Sequence, residues 1–178
     1  MRRGRRILVA LAALVAVAVT ASAGSARSRG SAATQSRMQS ALVAEINAFR
    51  SAHGLPRLRV VPTLNRAADG HSSQMARLGY FSHDSANGQS FSQRIARFYR
   101  LRGYHRWAVG ENLVWGAPAL GAAAAFRLWL SSPPHRANLL SPRWRDIGLG
   151  AVHTTSAPGI YGGRPATIVT ADFGARQR

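Results

Sequence analysis

Trp129-Leu130-Ser131-Ser132-Pro133-Pro134-His135-Arg136-Ala137-Asn138-Leu139-Leu140 is the stretch on which the reading of the chain turns. An Ala-rich run from about Ala119 to Leu130 predicts a helix whose small residues allow a neighbour to approach closely. The Pro133-Pro134 pair predicts its stop. A histidine placed directly after such a stop, ahead of a second apolar pair, lies at an element end where imidazole has chemistry open to it. Two further segments share this character. Phe81-Ser82-His83-Asp84-Ser85 sets a histidine in a loop with no packing reason to be there. Gly110-Glu111-Asn112-Leu113 sets a carboxylate between two apolar stretches, where it is buried with a partner or lines a cleft. The gaps of 28 and 24 residues carry no local metal-site signature of the H-E-x-x-H kind.

Working outward, Leu42, Ile46 and Phe49 recur at helical spacing from about Met38 until Gly54 and Pro56. Thr63 is placed to cap a second helix bearing Leu64, Ala67, Ala68, His71, Met75 and Leu78, with Gly79 at its end. Ser90 opens a third, with Phe91, Ile95 and Phe98 expected inside and Arg94, Arg97 and Arg100 expected as its solvated stripe. Residues 107–115 read as a strand. So do Ile147 to Val152, with glycines that tolerate bulges, and Thr167 to Phe173. Helices flanking a small antiparallel sheet make an α+β domain.

Composition removes whole classes of chemistry. There is no cysteine, hence no disulfide framework, thiolate zinc site, iron–sulfur cluster or cysteine nucleophile. All 24 basic residues are arginines against 6 acids, giving a net charge of +18. Met1 to Arg6 is basic, Ile7 to Thr20 is uncharged, and Ala21-Ser22-Ala23 is of the small-residue cleavage type. Residues 1–23 are therefore expected to be a signal peptide, with an uncleaved anchor as the alternative, and 24–37 a flexible spacer ahead of a domain over 38–178. Beyond residue 23, 20 arginines against 6 acids leave +14, so the basicity does not come from the leader. Such a field favours an anionic envelope polymer or lipid; without zinc-finger spacing or basic strands interleaved with aromatics, nucleic acid is disfavoured. The expected product is a secreted monomer with no transmembrane domain after cleavage.

Taken in order, F-S-H-D-S, G-E-N-L, W-L-S-S-P-P-H-R-A-N-L-L, I-G-L-G and the closing D-F-G resemble the CAP superfamily of cysteine-rich secretory, antigen 5 and pathogenesis-related proteins. The chain is most similar to the bacterial cysteine-free, SCP-like extracellular branch, from about Met38 to Gly174. The resemblance implies an α-β-α sandwich and a cleft lined by two histidines and two acids. By motif, His83 corresponds to the first histidine, Glu111 to the first glutamate and His135 to the second histidine. The second acid is missing: Ser132 stands three residues after Trp129 where many members carry Glu, and Pro134 replaces a usual glycine.

His83, Glu111, Ser132 and His135 are thus the expected cleft, with no catalytic residue assigned. His83, His135 and Glu111 could hold zinc or another divalent cation, or form a hydrogen-bonded structural network. The function implied is a protein at or outside the cell envelope that binds a small, lipidic or anionic ligand. The alternative is a hydrolase of envelope material, metal-assisted or using Ser132 or Ser82 with a histidine, although no G-x-S-x-G elbow occurs. His71 is expected as a core histidine, and Trp115, beside the Glu111 segment, as the tryptophan nearest a ligand.

Overall fold

The computed structural model describes residues 20–178, with side chains from residue 31. The first 19 residues of the expected signal peptide lie outside the described residues. Five helices and four strands follow: α1 (Thr20–Ala52), β1 (Arg59–Val60), α2 (Pro62–Leu78), α3 (Phe91–Ala96), β2 (Arg106–Gly116), α4 (Ala122–Ser131), α5 (Pro133–Leu139), β3 (Asp146–Ala157) and β4 (Arg164–Gln177). Among the described residues no helix is long and apolar enough to cross a membrane.

The sheet order is β1-β3-β4-β2, antiparallel except for the two-residue β1, which runs parallel to β3. Alternation along β4, central and buried on both faces, feeds two helical layers. Val169, Ala171, Phe173 and Ala175 pack with Leu42 and Ile46 of α1 and Phe126 and Trp129 of α4. Ile168, on the other face, packs with Met75 of α2. The result is the expected α-β-α sandwich, with α1, α4 and α5 on one side and α2 and α3 on the other.

Gly148 and Gly150 have a reason other than bulging. A Cβ on Gly148 would lie 2.1 Å from the backbone carbon of Leu64, and one on Gly150 2.2 Å from that of Ala68. The α2 backbone thus rests directly on β3. Side chains of α2 also finish the hydrogen bonding of β3, with Asn65 Oδ1 accepting from Leu149 N–H at 3.0 Å and Ser72 Oγ donating to Gly150 O at 3.3 Å.

Several local expectations need correction. Residues 24–37, expected as a flexible spacer, lie within α1, and no proline interrupts the helix there. Thr63 does not cap α2, because Pro62 takes the first helical position and Val61 becomes the cap. Ser90 does cap α3, in a reciprocal box with Gln93, but the helix ends at Ala96 and leaves Phe98 38% exposed. Pro133 and Pro134 stop α4 and at once begin α5, since proline suits the first turn of a helix.

Candidate functional site

The edge strand β2 is the backbone of the site. Glu111 points toward the α2–α3 layer and Asn112 toward the α4–α5 layer, as expected of adjacent residues on a strand whose next pair, Leu113 and Val114, divides between the same two cores. His83 comes from the loop after α2 and His135 from the first turn of α5, one from each layer. With Phe91, Pro134 and Asn138 they line an open cleft of about 480 Å³ around the sheet edge.

Glu111 anchors the arrangement, and its side chain is fully buried. His83 Nδ1 lies 2.7 Å from Oε1, and the Arg94 guanidinium is paired with Oε2. In the neutral ring this bond keeps the His83 proton on Nδ1 and leaves Nε2 as the lone pair. Arg94 also donates to the His83 carbonyl at 2.9 Å and to Ser85 Oγ at 3.3 Å, so one guanidinium holds both the carboxylate and the loop. The expectation of a solvated Arg94 is therefore corrected: Arg94 is buried, whereas Arg97 and Arg100 are exposed.

Beneath Glu111 lies a residue that the sequence reading passed over. Asp172, in the D-F-G segment, is its registered partner across the β2–β4 ladder and has no exposure. Burial pushes its carboxyl well above the usual range, and the neighbouring Glu111 charge pushes the same way. No N–H or O–H of the described residues reaches either oxygen. A hydrogen bond between two carboxyl groups needs a proton on one of them, and burial favours Asp172 as the one that carries it.

Two more groups fix the walls. His71 is buried and its Nε2 donates to the Ser82 carbonyl at 2.9 Å, tethering the loop one residue before His83; burial, with Arg94 nearby, pulls its pKa down to about 4. On the other side Asn138 donates to the Glu111 carbonyl at 3.3 Å and to Asn112 Oδ1 at 2.9 Å, while Asn112 donates to the His135 carbonyl at 3.1 Å. Trp129 Nε1 donates to Leu113 O at 3.0 Å. His135 is half-buried, and its pKa is lowered by burial and by His83.

His83, Glu111 and His135 are thus brought to one cleft, and Ser132 is not. It sits at the α4–α5 junction as the N-cap residue of α5 and does not line the cleft. Ser82 is exposed and accepts the Asp84 N–H at 3.1 Å. Trp115 packs edge-on against Tyr161, away from the cleft.

The expected His83–Glu111–His135 metal set does not fit. Both Glu111 oxygens are taken by His83 and Arg94, and no three His, Cys, Asp or Glu of the described residues are disposed to hold an ion. A divalent cation would find two imidazoles and a neighbouring guanidinium, a donor set short of the three protein ligands of an open zinc site. Of the two arrangements expected for these residues, the geometry matches the hydrogen-bonded network.

Residues 43–173 match the Cysteine-rich secretory protein family, CAP. The chain belongs to the CAP family. Beside its 131-residue CAP match, it is 31% identical over 110 residues to YkwD of Bacillus subtilis (strain 168), spanning 62% of this chain and 40% of YkwD. The membrane protein YlbC of the same organism is 31% identical over 104 residues, spanning 58% of this chain and 28% of YlbC. The CAP chain thus spans well under half the length of these relatives. Among solved structures, an extracellular protein containing an SCP domain from Bacillus anthracis str. Ames superposes with a TM-score of 0.62 at 27% identity, over 81% of this chain and 41% of that one. An outer surface protein from Borrelia burgdorferi superposes with a TM-score of 0.61 at 23% identity, over 76% of this chain and 90% of that one, a likeness of fold.

Proposed function

We propose that this CAP domain is a non-enzymatic binding module that works at the cell envelope or outside it and holds a small ligand in the cleft between His83 and His135. The observation that carries the reading is the saturation of Glu111. A carboxylate buried under Arg94 and His83 is in no position to act as base or nucleophile. What the cleft offers a ligand is two imidazoles, the Asn138 amide and the apolar surfaces of Phe91 and Pro134, a mixed lining suited to a small molecule with polar and apolar parts. The basic, apolar and small-residue order of residues 1–23 supports export, as does the likeness to an extracellular SCP-domain protein.

The test is native mass spectrometry and organic extraction of the full chain purified from an exporting host, beside His135→Ala. A bound mass in the wild type that is depleted in the variant is expected. Hydrolysis of an ester or of peptidoglycan by purified protein, lost by at least about 100-fold in Glu111→Gln, would replace the binding reading with an enzymatic one.

A further inference from the structure

Away from the cleft, and sharing no residue with it, the structure has a second concavity of about 450 Å³ between the start of α2, the chain after α3 and the end of β4. Arg66, Arg97, Arg100, Arg102 and Arg176 line it, together with Thr63. None of the six acids of the chain does. The ion pairs among the described residues are Arg59–Asp146, His83–Glu111 and Arg94–Glu111, so these five guanidinium groups meet no carboxylate. Like charges crowded into one concavity repel, and low-dielectric walls intensify their field.

Two details mark the pocket as more than a basic surface. The first turn of α2, which contributes Thr63, has no acidic residue and no side-chain cap, so the positive end of a 17-residue helix adds to the same field. Arg176 is also fixed in place: its guanidinium lies over the rings of Tyr99 and Tyr104 at 4.1 and 4.8 Å, and its Nη1 donates to Arg100 O at 3.2 Å. Its Nε is sealed from solvent without a partner. The neighbouring concavity shares Arg176 but contains Asp146, which pairs with Arg59 and breaks the run of positive charge.

We propose that this arginine pocket is a binding site for a ligand carrying clustered phosphate groups. A single carboxylate would balance one of five cations, whereas two or more phosphates match both the charge and the forked, bidentate donors of guanidinium. The volume suits a short oligophosphate or the head group of an anionic phospholipid, and both present the same chemistry to the five arginines.

The experiment uses the full chain and two triple variants of equal charge. Arg66→Ala/Arg97→Ala/Arg102→Ala removes three exposed pocket arginines; Arg57→Ala/Arg77→Ala/Arg127→Ala removes three exposed arginines elsewhere. Inorganic tripolyphosphate is titrated calorimetrically, and phosphatidylglycerol vesicles are tested by co-sedimentation, each against a sulfate-matched ionic strength. The expected result is at least about tenfold weaker binding of one or both probes by the pocket variant, with the control within about twofold of wild type. Selective loss of tripolyphosphate binding assigns a soluble ligand, and selective loss on vesicles assigns a lipid head group. Equal weakening in both variants would overturn the proposal in favour of diffuse charge, and no binding of either probe by wild type would overturn it outright. Thermal melts of both variants at the wild-type temperature exclude misfolding as the cause.

Discussion

Glu111 and Asp172 stand directly opposite one another on β2 and β4, the first bound by Arg94, the second wholly buried with its carboxyl pushed well above the ordinary range. Two carboxyl groups thus share one buried space beside a single guanidinium, and that crowding has measurable consequences.

Because the folded-state pKa of Asp172 is raised, the native protein holds a proton that the unfolded chain releases above the ordinary carboxylate range. Stability therefore falls as pH rises through that window, by up to about 1.4 kcal/mol per pH unit, and levels off above the folded pKa. Asp172→Asn cannot ionise and keeps a donor for Glu111. Its stability advantage over wild type should grow with pH across the window in denaturant titrations. A variant whose curve merely runs parallel to wild type would show that Asp172 is not the proton carrier.

Removing Arg94 strands a buried carboxylate. Arg94→Met should cost about 3–5 kcal/mol, whereas Arg94→Met/Glu111→Gln should recover most of that loss, since breaking one side of a buried pair costs more than removing both. Urea unfolding of the three proteins checks it. Additive losses in the double variant would mean the two side chains are not coupled.

His71 acts on the acid side. With its folded pKa near 4, the native ring stays neutral while the unfolded chain takes up a proton below about 6.5. Stability is lost as pH falls from about 6.5 toward 4, amounting to about 3 kcal/mol when the span is complete. His71→Gln, which keeps an N–H for the Ser82 carbonyl, should flatten this limb of the thermal pH profile. An unchanged acid limb would move the effect to another group.

Contact between α2 and β3 sets a fourth expectation. Gly148→Ala drives a Cβ into the Leu64 and Asn65 backbone, which cannot swing aside as a side chain would. It should destabilise by about 3 kcal/mol or more, while Gly70→Ala, inside α2 and facing open space, should be neutral or stabilise by up to about 1 kcal/mol. Equal effects in chemical denaturation would contradict the direct seating of α2 on the sheet.

What the sequence made legible was local. Gly79 as the left-handed end of α2 and Ser90 as the cap of α3 follow from short-range chemistry, and both are found. The sandwich and the convergence of His83, Glu111 and His135 came from the ordered motifs. Arg94 was misjudged because three-residue spacing shows which side chains share a helix face but not that an acid 17 positions later lies against one of them. Asp172 was missed because its meaning depends on strand register, which pairs it with Glu111 across 61 positions of chain. The glycines of β3 were read as freedom in the strand when they record the approach of another element.

The side chains that hold the cleft together also occupy part of the sheet's exposed edges. Along β2 the outward carbonyls of Glu111 and Leu113 are spent on Asn138 and Trp129; along β3, beyond the two-residue β1, Asn65 of α2 occupies Leu149 N–H. At these positions the edge groups of the sheet are already engaged within the chain. A second copy adding strand to strand there would have to displace those bonds, a local bar to edge-to-edge pairing built from the same side chains as the cleft.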